Sequence, residues 1–225
     1  MVPAPLSYPF RGERRVDALL AGGGLHLLSV YVPVVPLVVA LGYLLVVFGE
    51  TASRGSDDRY DVLPAFADVR RIVRTGVGGA TVVAAFLLPA AVVLVVTVAG
   101  VSQLSLSPGD VTIGTSVGFV LGSTTSLLLA VAFFYLLPAA LANYLATGQL
   151  RGAVDVDVLT RAATHAAYFY DVTVGLVAGG LLLVVAGFTT AIAVGFFVAF
   201  YAELVAVAFW ARGVSRALPD VAGDL

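Results

Sequence analysis

The chain contains no cysteine and no lysine. Without cysteine there can be no disulfide, thiolate metal centre, iron–sulfur cluster or cysteine nucleophile, and nothing follows about redox compartment. All twelve basic residues are arginine, which together with the excess of alanine, valine and glycine points to GC-rich coding rather than to chemistry. Charge is scarce: 12% of residues carry one, against about 25% in soluble domains. The formal net charge of −2 offers nothing to a nucleic acid. Catalytic motifs are missing as well. There is no Gly-x-Ser-x-Gly elbow, and Ser116 and the other serines have no His/Asp frame. Glycine runs such as Gly22-Gly23-Gly24 lack the strand–turn–helix setting of a phosphate or dinucleotide loop. His26 and His165 stand far apart with no clustered carboxylates, so no metal site is expected. No cofactor is implied, and no enzyme is expected.

What the chain has is hydrocarbon. Of its 225 residues 60% are hydrophobic, and the mean hydropathy is +1.03. In the block from Ala166 to Ala211 the only charged side chains are Asp171 and Glu203. A bilayer core about 30 Å thick needs about 20 apolar residues per helix, so this block reads as two spans, Tyr168–Gly187 and Ala191–Ala211. A clean span covers Val77–Val101, and another lies in Ile113–Ala146, broken near its end by Pro138. The first apolar element, Leu19–Phe48, is interrupted by Val32-Pro33-Val34-Val35-Pro36. It is too long for one straight span and too short for two. It is either one span followed by a bent surface helix or a re-entrant hairpin, since proline breaks the helix. The expected fold is an all-α integral membrane protein: four clear transmembrane helices, a proline-broken or re-entrant first element, and two short interfacial helices. A polar segment 1–18 and a polar tail 212–225 flank a single membrane domain, 19–211.

The connections agree on sidedness. Five arginines lie in the 49–75 connection, two in 147–167 and two in the tail, while Ser102–Thr112 and the turn around Thr189 have none. Arginine excess marks the cytoplasmic side, so those two connections and the C-terminus are expected inside a cell membrane. Arg11, Arg14 and Arg15 favour an inside N-terminus if the first element is a hairpin, whereas a single span puts it outside. They do not make an export signal: Asp17 is misplaced, no cleavage region follows and the apolar stretch is too long. Leu63–Arg74 reads as one of the interfacial helices, with Pro64 in its first turn and arginines in its last. Ser107-Pro108-Gly109-Asp110 is a turn signature.

A weak internal repeat relates about 19–101 to 113–188, each half passing from Gly42-Tyr43 or Asn143-Tyr144 into a linker with glycine and arginine and then a span. Leu41-Gly42-Tyr43-Leu44-Leu45, Leu63-Pro64-Ala65-Phe66-Ala67-Asp68, Tyr135-Leu136-Leu137-Pro138-Ala139-Ala140 and Phe200-Tyr201-Ala202 follow one another in that order. In this the chain resembles the archaeal membrane family catalogued as domain of unknown function 4013, common in halophiles, over roughly Val16–Gly213. Val156-Asp157 stands where that family is expected to have a Phe-Asp pair. The resemblance implies an integral membrane protein with no established activity and no catalytic motif to carry over.

Few residues remain as candidates. Glu203 lies nine positions before Arg212, about 13 Å along a helix. Ionisable groups at that depth are costly unless paired, and they mark ion or substrate paths or structural bonds. Asp171, beside Tyr168 and Tyr170, suits a helix start or an aromatic belt, and pairs with Glu203 only if the last two helices are offset. His26 lies within the first apolar element. Gly114, Gly118 and Gly122 recur every four residues, a small-residue seam that admits close helix approach. Two functions follow. One is a structural or accessory membrane protein whose cytoplasmic helices meet lipid or a partner, either another membrane protein or a second copy. The other is a small transporter or channel with Glu203 as its intramembrane ionisable group.

Overall fold

The computed structural model of the chain describes residues 4–11, 15–55, 58–102 and 113–225. Among these every regular element is helical. In order they are α1 (Ala4–Ser7), a 3-10 turn at Tyr8–Phe10, α2 (Arg15–Leu28), α3 (Val35–Ser53), α4 (Val69–Ser102) and α5 (Ile113–Thr147). A 3-10 turn at Leu150–Val154 leads to α6 (Val156–Thr164) and α7 (Ala166–Thr189), and a third at Thr190–Ile192 leads to α8 (Val194–Ala217) and α9 (Pro219–Gly223). Five helices are long and apolar enough to cross a bilayer: α3, α4, α5, α7 and α8. The turn signature at Ser107–Asp110 lies outside the described residues.

The fifth such helix comes from the first apolar element, which splits into α2 and α3. Pro36 sits in the first turn of α3, where its missing N–H is no loss, and Pro33 falls in the break between the helices. Both arms pack against α8 and against each other. The Tyr8 hydroxyl shares a hydrogen bond of 3.0 Å with Thr51 at the end of α3, and Arg11 donates to the Tyr60 carbonyl at 3.4 Å. The chain therefore enters α2 and leaves α3 at the same end. The element is thus a helical hairpin, and its second arm, α3, is itself long enough to cross a bilayer. Its arms are unequal, with 14 residues in α2 and 19 in α3.

The interfacial helix expected over Leu63–Arg74 does not form as a separate element. Residues 61–68 are irregular, and helix starts at Val69. Asp68 decides the start, since its Oδ1 accepts the otherwise orphaned Arg71 N–H at 3.0 Å. Upstream, Leu63 and Pro64 are buried, Tyr43 donates to the Pro64 carbonyl at 2.8 Å, and its ring stacks on Phe66 at 4.8 Å. Arg70, Arg71 and Arg74 thus belong to the first turns of the 34-residue α4. At about 51 Å that helix outruns a bilayer core and can hold its arginines in the headgroup layer. The second short surface helix is present as α6, where the Asp155 carboxylate accepts from the Asp157 and Val158 N–H groups at 3.0 and 3.3 Å.

Residues 1–80 and 138–225 form one compact unit and residues 81–137 another. In the first, α8 is central, packed on α2, α3 and α7. Also there, α3 crosses the first turns of α4 backbone to backbone: a Cβ on Gly42 would collide with the Ile72 carbonyl, and one on Gly76 with that of Val38. In the second unit Ser126 donates to the Ala90 carbonyl at 2.8 Å, and Phe86 meets Phe133 edge to face at 5.9 Å. Of the glycine seam expected over Gly114–Gly122, only Gly118 and Gly122 have described surroundings, and they differ. Gly122 faces the Thr97 side chain, Gly118 has no atom within 4 Å of its Cβ position, and the surroundings of Gly114 lie outside the description. Outward residues are hydrocarbon: Val95, Leu128 and Leu181 are each 65% exposed, which suits lipid and not water.

Candidate functional site: two ion pairs inside the bundle

The chain places His26 against Glu203, 177 residues away. His26 lies eleven residues after Arg15 on α2, and Glu203 nine before Arg212 on α8. Helical rise puts both at about 13–16 Å from the same end, which is why they meet. Gly22 and Gly23 allow the approach, because a Cβ on either would strike the rings of Phe200 and Phe197 on α8. The glycine run is therefore a packing surface. His26 Nδ1 is 2.9 Å from the Gly22 carbonyl, and Nε2 is 3.1 Å from Glu203 Oε1. A carbonyl oxygen only accepts, so Nδ1 carries a hydrogen. The contact at Nε2 then needs one more proton, held either by imidazolium facing carboxylate or by a carboxylic acid facing neutral imidazole. In both forms the pair is neutral overall. Glu203 Oε2 is buried without a hydrogen-bond partner among the described residues.

Asp171 is fully buried, and its partners are arginines, not Glu203. Arg212 donates to Oδ1 through Nη2 at 2.6 Å and Nε at 3.0 Å, while Arg216 reaches Oδ2 at 3.3 Å. Both arginines sit in the last turns of α8 and Asp171 early in α7, so the antiparallel helices bring them together. Gly213 keeps this crossing open, since a Cβ there would be 3.0 Å from Asp171 Cβ. The Arg212 guanidinium also lies 5.0 Å over the Phe209 ring.

The sequence did not single out Arg59 or Tyr60, which complete this end. Arg59 is 8% exposed, its Nε has no partner among the described residues, and burial pushes its guanidinium below the ordinary arginine value. Tyr60, its phenol pushed up by burial, donates to the Ala208 carbonyl at 3.2 Å. The arginine-bearing connections thus converge on one end of the unit. Arg71 stands 3.8 Å from Glu50, Arg54 3.2 Å from Glu50 and Arg161 2.8 Å from Asp220. Arg70 and Arg74 have no carboxylate partner among the described residues. His165 caps α7 through its backbone alone. No group of three or more histidine, aspartate or glutamate side chains among the described residues could hold a metal ion.

Long apolar helices, lipid-like outer faces and carboxylates neutralised inside the chain are the make-up of a multi-pass helical membrane protein. The chain belongs to the family described as "Protein of unknown function (DUF4013)", which matches residues 25–195. That match is shorter than the Val16–Gly213 suggested by the sequence motifs. It takes in His26 and Asp171 and stops before Glu203, Arg212 and Arg216. No curated protein and no solved structure matches the chain.

Proposed function

We propose that the chain is an accessory protein of the cell membrane, with its C-terminus and the 49–75 and 147–167 connections cytoplasmic, acting through lipid or a protein partner and not through catalysis. One observation carries this. Both carboxylates within the last two apolar helices, Glu203 and Asp171, are neutralised by side chains of the same protein. The uncompensated charge is that of arginines at one end, where a headgroup layer or a partner would meet it. In liposomes the protein is expected to show no proton or cation flux, and Glu203→Gln none either.

A second reading, a small transporter, is favoured by the unpartnered Glu203 Oε2 and by the shared proton at His26. Flux in the original that vanishes in an equally stable Glu203→Gln variant would replace the accessory role with that one. Orientation is tested separately. The chain has no cysteine, so single cysteines placed at Thr190 and Ser215 report alone. A membrane-impermeant maleimide added to whole cells should label the first and spare the second.

A further inference from the structure

A cavity of about 550 Å³ opens beside the first turns of α4, its lining including Asp68, Arg70, Arg71, Arg74, Tyr144 and Leu145. That volume is in the range of small-molecule sites. Its charge is positive on balance: of its three guanidiniums Arg71 is shared with Glu50 at 3.8 Å, which leaves Arg70 and Arg74 beside the single carboxylate of Asp68. Arg70 and Arg74 are exposed and have no carboxylate of their own among the described residues. Tyr144 forms the opposite wall because Gly78 lets its hydroxyl lie against α4, where any side chain would collide. Guanidinium forks and hydroxyls suit phosphate oxygens, and the start of a long helix adds a favourable field for an anion.

The surface continuing along the helix identifies the rest of the ligand. Arg70, Val73, Arg74 and Val77 are spaced three or four residues apart and share one helical stripe. Val73 is 38% and Val77 55% exposed. Cationic groups thus stand directly above open hydrocarbon. We infer that this groove binds the phosphate of an anionic phospholipid, with an acyl chain along Val73 and Val77. The inference rests on the membrane-embedded reading above and names the lipid class that the arginine-bearing end would meet.

The test uses the full chain in neutral detergent, titrated with phosphatidylglycerol and followed by native mass spectrometry. Parent, Arg70→Gln/Arg74→Gln and the control Arg151→Gln are compared. Neither groove arginine makes a bond whose loss would unfold the chain, and equal unfolding temperatures would verify that. Removing two interfacial charges should weaken binding about thirtyfold, while the control stays within about twofold of the parent. Phosphatidylcholine and inorganic phosphate should bind far more weakly than phosphatidylglycerol. Equal affinity in the double variant would overturn the site, and phosphate binding as tightly as the lipid would overturn the lipid assignment. Carbonate washing of membranes separates the two levels. A chain released by it sinks the membrane reading, whereas a retained chain with unchanged lipid affinity sinks only the groove.

Discussion

Arg212 reaches Asp171 with two donors, Nη2 at 2.6 Å and Nε at 3.0 Å, and closes the α7–α8 hairpin at the end opposite its turn. The carboxylate is fully buried and the guanidinium side chain 21% exposed, so neither has much water to fall back on. Removing one partner strands the other. Asp171→Ala should cost about 3–5 kcal/mol. The Asp171→Ala/Arg212→Ala double variant should lose less than the two single losses combined, read as a coupling term from unfolding in detergent. Arg216→Ala should matter less, because its side chain is 51% exposed.

His26 and Glu203 invite a different comparison. Glu203→Gln retains the side chain's size and can donate to His26 Nε2, so its stability should stay near the parent's. His26→Ala leaves Glu203 with no described partner on either oxygen and should cost several kcal/mol. Combining the two should restore part of that loss. Thermal unfolding of the three variants decides the matter, and an unaffected His26→Ala would show that the pair contributes no stability.

Glycine substitutions should divide by position. Gly42→Ala drives a methyl group into the Ile72 carbonyl, a backbone atom that cannot swing aside, and should destabilise by about 1–3 kcal/mol or more. Gly24 has nothing within 4 Å of its Cβ position, so Gly24→Ala should be neutral or gain about 0.5–1 kcal/mol from lower backbone entropy. Unfolding temperatures of the two variants check this directly, and an unaffected Gly42→Ala would contradict the α3–α4 crossing.

Acid should loosen the C-terminal helix. Arg161, hydrogen-bonded to Asp220 at 2.8 Å, holds that carboxyl below its ordinary range. A carboxyl lowered on folding stabilises the fold above its unfolded value of about 4, and the contribution fades as pH falls through the lower folded value. The protection of the Ala222 amide, which bonds the Leu218 carbonyl, should therefore fall below about pH 4 once exchange is corrected for its intrinsic pH dependence. Asp220→Asn should show the lower protection already at neutral pH and little further change on acidification.

Much of the architecture is local and hence legible. Whether a helix can cross a bilayer depends on length and composition, so Val77–Val101, Ile113–Ala146 and the final two spans overlap α4, α5, α7 and α8, although α5 runs unbroken through Pro138, where a break was expected. Pro33 and Pro36 break the first element wherever it folds, and Asp155 begins α6 through its own side chain. The helix start at Val69, later than the expected Leu63, is local in part: Asp68 caps the helix from outside, while Pro64 upstream is held in irregular chain by the Tyr43 hydroxyl.

The site lay beyond that reach. Glu203, Asp171 and His26 were each visible as polar residues in apolar sequence, because a charge in hydrocarbon needs a reason. Their partners were not, since pairing depends on which helix faces which, and at what depth. Hydropathy is the same on all sides of a span as uniformly apolar as α7 and so carries no facing. Only packing chose: glycines at 22, 23 and 213 brought α2 and α7 onto α8, and the equal depth of His26 and Glu203 completed one pair. The sequence by itself determined a multi-pass helical bundle with its arginines at one end. The tertiary structure alone decided which buried charges neutralise one another, and it leaves Arg70 and Arg74 without a carboxylate partner among the described residues.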